Sequence, residues 1–293
     1  MRLLILFLTI PTIGLSQLLT EIKTVEQAER FITTNLKFYD YRYQSFKILT
    51  GDTLNFDTFK AGDFNHDGQS DLLIFGNATV IRDKDKEPFK RDEIIIILGD
   101  KKRPKKANFP FDYFRNWFTH IRPYPSVVSK DGKDFIEIKY DVYDRRGESK
   151  ETFYETVFVK NEKLIPYTDQ PSTKTATRVE FKTNYCYGSC PVFELIINSN
   201  GDVEYNGLDH VDRKGLVRLK MNDKDWDYLQ TLLKYLKVED LKDNYSVNWT
   251  DDQTVFLKIY FKDGDKKEIE DYGMVGTFGL SILFDFLYKL REF

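Results

Sequence analysis

Oxygen-bearing side chains recur in one short stretch, AGDFNHDGQSDLLIF, at residues 61–75. The residues concerned are Asp63, Asn65, Asp67, Gln69 and Asp71. Calcium prefers several hard oxygen ligands, and side chains at alternate positions of a loop can face one centre. Gly68 permits the turn that folds such a loop inward. The pattern predicts a calcium site in which Gln69 contributes its main-chain carbonyl, and the alternative is a polar turn without metal.

The negative charge of this stretch favours a calcium site over a polar turn without metal. Asp63, Asp67 and Asp71 lie so close in sequence that their carboxylates repel one another unless a cation lies among them. The spacing D-x-N-x-D-G-x-x-D resembles the calcium loop of FG-GAP/VCBS-type repeats, which lies between two strands. The resemblance covers one loop only, so it implies a single calcium-binding hairpin with a structural ion. A hydrolase that uses a catalytic calcium in this loop is a further alternative.

The two cysteines, Cys186 and Cys190, stand in NYCYGSCPVFELIIN. An exported protein meets an oxidising compartment, where two cysteines this close in sequence should pair. Gly188 permits the tight turn between them. We predict a local disulfide that fixes the start of the following strand.

Two alternatives remain for this pair. A thiol-redox site usually draws a low thiol pKa from a helix N-terminus, but the residues after Pro191 have a strand pattern. The spacing C-x-x-x-C-P resembles the motif of the copper-handling Sco proteins, and thiolates select Cu(I). Both alternatives require Cys186 and Cys190 to react or bind metal as thiols in the native protein.

A set of positions in the C-terminal half carries a family resemblance: Cys186, Gly188, Cys190, Pro191, Phe193, Asn200–Val203, Tyr205–Gly207, the helix start at Asp223, Leu241–Tyr245 and Thr250–Asp252. With these residues the C-terminal half is similar to a family of secreted bacterial domains known as domain of unknown function 6438. The resemblance implies a fold and an exported location, and it implies no activity and no catalytic residues.

The N-terminus predicts export. One Arg precedes an apolar run, and small residues precede Gln17, which is typical of a signal peptide covering residues 1–16. We therefore expect a periplasmic or extracellular location and no transmembrane segment in the mature chain. The net charge of -3 and the short basic stretch KKRPKK do not favour nucleic acid as a partner.

Hydrophobic periodicity predicts an α+β fold with two domains, each an antiparallel sheet with one or two packed helices. A capping box at Thr24–Gln27 predicts a first helix, and Asp92–Gly99 reads as a central strand. The N-terminal domain is expected at 20–165, a linker containing Pro171 at 166–176, and the C-terminal domain at 177–293.

Common catalytic motifs are absent from the sequence, which has no G-x-S-x-G, P-loop or H-E-x-x-H. The sequence favours a non-enzymatic binding or interaction protein over an enzyme and leaves catalysis open. We expect its partner to be a protein or a component of the cell envelope. The alternative function is a periplasmic thiol-redox or copper-handling protein that uses Cys186 and Cys190.

Overall fold

The structure is a computed structural model that describes residues 22–38, 41–51, 54–82, 87–99, 105–107, 120–143 and 149–291. Contacts divide the chain into two compact units, Met1–Ala107 and Asn108–Phe293. The predicted signal peptide, residues 1–16, lies outside the described residues. Among the described helices, none has both the length and the apolar character that a membrane-spanning helix requires.

The first unit begins with helix α1 (Val25–Asn35), which has the predicted capping box. The Thr24 side chain accepts a hydrogen bond from Gln27 N at 3.3 Å, and Gln27 Oε1 accepts one from Thr24 N at 3.0 Å. Ala28 and Ile32 on one face of the helix are buried in the core of this unit.

The described strands of the first unit form a sheet of six strands. Its strands are β1 (Lys37–Phe38), β2 (Tyr41–Ile48), β3 (Phe59–Gly62), β4 (Asp71–Arg82), β5 (Phe89–Leu98) and β6 (Lys105–Ala107). The order is β1-β2-β4-β5-β6, with β3 beside β4, and the pairs are antiparallel. Ile94, Ile95, Ile96 and Ile97 are all buried, so β5 is the predicted strand with two covered faces.

The second unit contains two sheets. The four-stranded sheet has the order β10-β9-β8-β7 and is antiparallel. Its strands are β7 (His120–Lys130), β8 (Lys133–Tyr143), β9 (Ser149–Lys160) and β10 (Lys163–Pro166). Asn161 and Glu162 have φ of 49° and 64° in the turn between β9 and β10, so these two strands form a tight hairpin.

The seven-stranded sheet has the order β14-β13-β12-β11-β16-β17-β15. Its strands are β11 (Ala176–Thr183), β12 (Val192–Asn198), β13 (Asp202–Asp209), β14 (Gly215–Lys220), β15 (Asn244–Ser246), β16 (Thr254–Phe261) and β17 (Lys266–Tyr272). The sequence patterns of residues 177–184, 191–198, 202–206, 215–220, 255–261 and 266–272 predict all but one of these strands. The exception, β15, has three residues and runs parallel to β17, so it has too few residues for an alternation pattern.

Two helices accompany this sheet, α2 (Asp223–Leu236) and α3 (Phe278–Lys289), and a 3-10 turn follows α2 at Val238–Asp240. The N-cap residue of α2, Asn222, accepts a hydrogen bond from Asp225 N at 2.9 Å. The apolar faces of both helices are buried. Antiparallel sheets with separate helices confirm the α+β class.

The compact units differ from the predicted domains, because the structure groups β7–β10 with the C-terminal elements. Lys163 Nζ lies 2.8 Å from Asp225 Oδ1, and Tyr228 donates a hydrogen bond of 2.8 Å to Leu164 O. Strand β10 thus packs on α2. The sequence analysis placed residues 20–165 in one N-terminal domain, and that division stays a prediction.

The predicted linker, residues 166–176, is irregular over most of its length, but it is hydrogen-bonded to the C-terminal elements. Ser172 N donates to Lys234 O, and Lys262 N donates to Thr175 O, both at 2.9 Å. The position of the boundary between independently folding domains stays a prediction.

Candidate functional site

The predicted calcium loop connects β3 to β4 through residues 63–70. The two strands pair up to Gly62 and Asp71, which lie opposite each other at the base of the loop. Gly68 has φ of 82°, the left-handed region that glycine adopts without strain, and His66 has φ of 58°. The sequence therefore folds here into a tight, irregular loop between two antiparallel strands.

Side-chain oxygens at alternate positions accept main-chain hydrogen bonds inside the loop. Asp63 Oδ1 accepts from Asp67 N at 3.1 Å, and Asp63 Oδ2 accepts from Gly68 N at 2.9 Å. Asn65 Oδ1 also accepts from Asp67 N at 3.0 Å. Asp67 Oδ1 in turn accepts from Gln69 N at 2.8 Å. These hydrogen bonds stabilise the loop conformation.

Asp71 is the buried member of the set, with 1% of its surface exposed. Its Oδ2 accepts from Phe64 N at 2.9 Å, and its Oδ1 accepts from Gly99 N at 2.8 Å. The pKa of Asp71 is raised to about 6, chiefly by burial, and the two N–H donors oppose the rise. The charges of Asp67 and Asp63 make a smaller contribution in the same direction as burial.

The donor atoms suit calcium, but the side chains are not gathered around a centre. Among the described residues, no group of three or more His, Cys, Asp and Glu side chains is arranged to hold a metal ion. Gln69 Nε2 donates to Asp67 Oδ2 at 3.1 Å. Each carboxylate oxygen has a second lone pair, so these hydrogen bonds do not exhaust the acceptors. Calcium at Asp63, Asn65, Asp67, Gln69 and Asp71 stays a prediction.

The structure joins Cys186 and Cys190 in a disulfide, with their Cα atoms 5.8 Å apart. The pair lies in an irregular loop between β11 and β12, and β12 begins at Val192. No helix begins in this loop, all of which the structure describes, so the feature that usually lowers a thiol pKa is missing.

Gln253 anchors the disulfide loop, which the sequence analysis did not predict. Only 2% of its surface is exposed. Its Nε2 donates to Asn184 O at 2.7 Å and to Pro191 O at 2.9 Å, and its Oε1 accepts from Tyr288 at 2.5 Å. One amide therefore ties both ends of the loop to helix α3.

Tyr185 and Tyr187 project from this anchored loop, with 60% and 88% of their surfaces exposed. Tyr187 N donates to Asp251 O at 3.1 Å, which holds the main chain while the ring faces solvent. The sequence analysis missed these residues. The sequence feature that could have revealed them is the composition of this loop. Tyr185 and Tyr187 flank Cys186 and are followed by Gly and Ser, and loops rich in Tyr, Gly and Ser are common in binding sites.

A buried polar cluster in the first unit also went unpredicted. Glu93 Oε1 accepts hydrogen bonds from Tyr43 at 2.6 Å and from Lys106 Nζ at 2.7 Å, and Lys106 Nζ also donates to Tyr43 at 2.8 Å. Burial lowers the pKa of Lys106 and raises the pKa of Tyr43. The three residues lie on different strands, so no local pattern could bring them together.

The outer face of the seven-stranded sheet holds an open depression of about 910 Å³. Acidic and basic side chains around it pair with one another, including Lys182 with Glu194 at 3.2 Å and Lys258 with Glu268 at 3.1 Å. The lining holds five acidic and four basic side chains, and this balance gives the depression little preference for the sign of a ligand charge.

Comparison with known proteins identifies the C-terminal part of the chain. Residues 177–291 match the family model described as Domain of unknown function (DUF6438). The match runs from β11 to just beyond α3, and it includes the disulfide loop. No curated protein and no solved structure matches the chain. The family description names no activity, so residue roles have to be inferred from the geometry.

Proposed function

We propose that the protein is an exported, non-enzymatic binding protein whose loop Asp63–Asp71 holds a structural calcium ion. The observation that carries the calcium site is the buried carboxylate of Asp71, which experiences the charges of Asp63 and Asp67. Above pH 6 the loop holds an ionised, buried group near two further carboxylates. A divalent cation would offset this repulsion.

Five residues of the loop would bind the calcium ion. Asp63, Asn65, Asp67 and Asp71 would supply side-chain oxygens, and Gln69 would supply its main-chain carbonyl. When bound, the ion supplies positive charge and fixes the loop between β3 and β4. With a dissociation constant of about 0.1 mM and free calcium of about 1 mM, linkage gives about 1.4 kcal/mol of stabilisation.

Two features support export and binding. The N-terminal residues 1–16 have the pattern of a signal peptide, and a disulfide is typical of an oxidising compartment. The anchored disulfide loop presents Tyr185 and Tyr187 to solvent, and such aromatic side chains are enriched in binding surfaces. The partner is a protein or a component of the cell envelope.

Thermal unfolding of the purified protein in EDTA, and again with 1 mM free calcium, tests the calcium site. We expect calcium to raise Tm by about 3–6 °C. Magnesium at the same concentration should act more weakly, because it demands octahedral geometry and gives up its water reluctantly. Asp67→Ala should abolish the calcium response, and Glu87→Ala, an exposed change in the same unit, should keep it. An equal response in both variants would exclude this loop.

The alternative, a thiol-redox or copper-handling protein, needs Cys186 and Cys190 as reactive thiols. Their loop leads into a strand and is held at both ends by Gln253, which gives no feature that activates a thiol. Mild reduction followed by Cu(I) titration distinguishes the two functions. Stoichiometric Cu(I) binding that is lost in Cys190→Ser would favour the alternative.

A further inference from the structure

Strand β14 (Gly215–Lys220) ends the seven-stranded sheet and pairs with β13 alone among the described strands. Its register with β13 runs without a shift from Gly215 to Lys220. The strand contains no Pro and no bulge, two devices that blunt the edges of many sheets. The main-chain groups on its outer side are therefore in position to pair with another extended chain.

One face of β14 is basic. Arg218 Nε lies 3.1 Å from Glu204 Oε1, and Lys220 Nζ lies 2.9 Å from Asp202 Oδ1. Both basic side chains remain mostly exposed, at 73% and 66%. Lys214, just before the strand, is held in the same way by Asp209 at 2.8 Å. These exposed ion pairs are weak, so the basic side chains can also interact with a carboxylate on the opposite side.

The other face of β14 is apolar and incompletely covered. Val217 and Leu219 lie opposite Tyr205 and Val203, which are buried, yet both remain partly exposed. Leu216 lies on the basic face, with Arg218 and Lys220, and is 59% exposed. A further strand beside β14 would bring its own apolar side chains against Val217 and Leu219 along this face.

We propose that the outer edge of β14 binds an extended, acidic segment of a partner polypeptide by strand addition. The segment carries acidic residues at alternate positions, facing Arg218 and Lys220, and apolar residues between them, facing Val217 and Leu219. Main-chain hydrogen bonds supply affinity, and the alternating side chains supply specificity. The inference rests on the proposed function, because it takes the protein to act by binding.

Charge selects this partner over a second copy of the chain. Two β14 edges pairing with each other would bring Lys214, Arg218 and Lys220 of both copies together. Like charges on neighbouring strands are destabilising, and opposite charges are favourable. The basic edge thus opposes self-association and accepts an acidic strand.

The test uses the purified full chain and fluorescein-labelled twelve-residue peptides, measured by fluorescence anisotropy at low salt. We expect a peptide of alternating Glu and Val to bind, and a peptide of alternating Lys and Val not to bind. The double variant Arg218→Glu/Lys220→Glu should weaken binding of the Glu-Val peptide by about tenfold or more. The matched control is Lys258→Glu/Lys266→Glu, which makes the same charge change on β16 and β17 and should bind like the wild type.

Two further peptides separate strand addition from simple ionic attraction. The first has the same composition with its Glu and Val residues in separate blocks, and the second is N-methylated at alternate main-chain positions. Equal binding of either one would overturn the proposal. Dimerisation of the protein in analytical ultracentrifugation that is lost in Arg218→Glu/Lys220→Glu would also overturn it, because the occupant would be a second copy.

The calcium response of thermal unfolding is measured on the same samples, which keeps the two proposals distinguishable. A calcium response without peptide binding would overturn the partner assignment alone. Peptide binding without a calcium response would support the β14 edge and exclude the calcium loop.

Discussion

Asp71 and Gly99 are joined by a hydrogen bond of 2.8 Å from the Gly99 main-chain N–H to Asp71 Oδ1. Asp71 begins β4, and Gly99 directly follows β5, so the bond closes the end of a strand pair beside the predicted calcium loop. A Cβ atom at residue 99 would lie 2.5 Å from Ser70 O, so glycine is required for this close approach. The loop is therefore fastened at a site that only tertiary structure reveals.

Asp71→Asn should destabilise the protein more at pH 4 than at pH 7 when EDTA is present. The pKa of Asp71 is raised from 3.8 to about 6 in the folded state. At a pH between these two pKa values, Asp71 therefore takes up a proton when the protein folds. The stability contributed by Asp71 is complete below about pH 4 and is lost as pH rises to about 6, which corresponds to about 3 kcal/mol. Asn cannot ionise. Its NH2 group also replaces one carboxylate oxygen of Asp71, so a donor would face the main-chain N–H of Phe64 or Gly99.

Urea unfolding at several pH values measures this difference. Glu87→Gln, an exposed change in the same unit, is the control and should follow the wild-type profile. Parallel stability profiles for Asp71→Asn and the wild type between pH 4 and pH 7 would contradict the assigned pKa.

Only part of the structure of the calcium loop can be predicted from its local sequence. The alternation of Asp63, Asn65 and Asp67 and the turn at Gly68 were sufficient to predict a loop between two strands. The burial of Asp71 was not predictable, because it depends on Gly99 and on the pairing of β4 with β5.

Gln253→Leu should lower the free energy of unfolding by about 2–4 kcal/mol. The change leaves the main-chain oxygens of Asn184 and Pro191 without the donors that Gln253 supplies. Tyr288→Phe is the matched control, because it removes only the hydrogen bond to Gln253 Oε1 and should cost about 1 kcal/mol. Urea unfolding measures both values, and equal losses would show that the bonds to the loop contribute little.

Replacing both cysteines by serine should lower the free energy of unfolding by about 2 kcal/mol, the value expected for so short a closed loop. The fold should persist, because Gln253 and the bond from Tyr187 N to Asp251 O still hold the loop. Far-UV circular dichroism and urea unfolding provide the check. Global unfolding of the double variant would show that the disulfide, rather than Gln253, is the main anchor.

The C-terminal strands and helices, apart from β15, were predictable because each carries its own periodicity or capping residue. The alternating residues of β16 and the cap residue Asn222 are local signals. The pairing of β11 with β16, at the middle of the sheet, is not local, and neither is the packing of β10 on α2. Contacts of this kind depend on complementary surfaces far apart in sequence, which explains why the predicted domains and the compact units differ.

Glu155→Gln should stabilise the second unit at pH 8 and flatten its stability profile between about pH 4.5 and pH 7. Glu155 lies on β9 opposite Ile138, and Tyr140 stacks on Phe153 nearby on the same face. Burial in these apolar surroundings raises the pKa of Glu155 from 4.5 to about 7. In the wild type the stability contributed by this group is complete below about pH 4.5 and is lost as pH rises through 7, because the folded state must then hold an ionised carboxylate. Gln carries no charge at any of these pH values, so the stability of the Glu155→Gln variant does not decline between pH 4.5 and pH 7 for this reason.

Glu151→Gln, an exposed change on the same strand, is the control and should keep the wild-type dependence of stability on pH. Thermal unfolding at pH 5 and pH 8 provides the measurement, and a slope retained by Glu155→Gln would show that another group causes the decline.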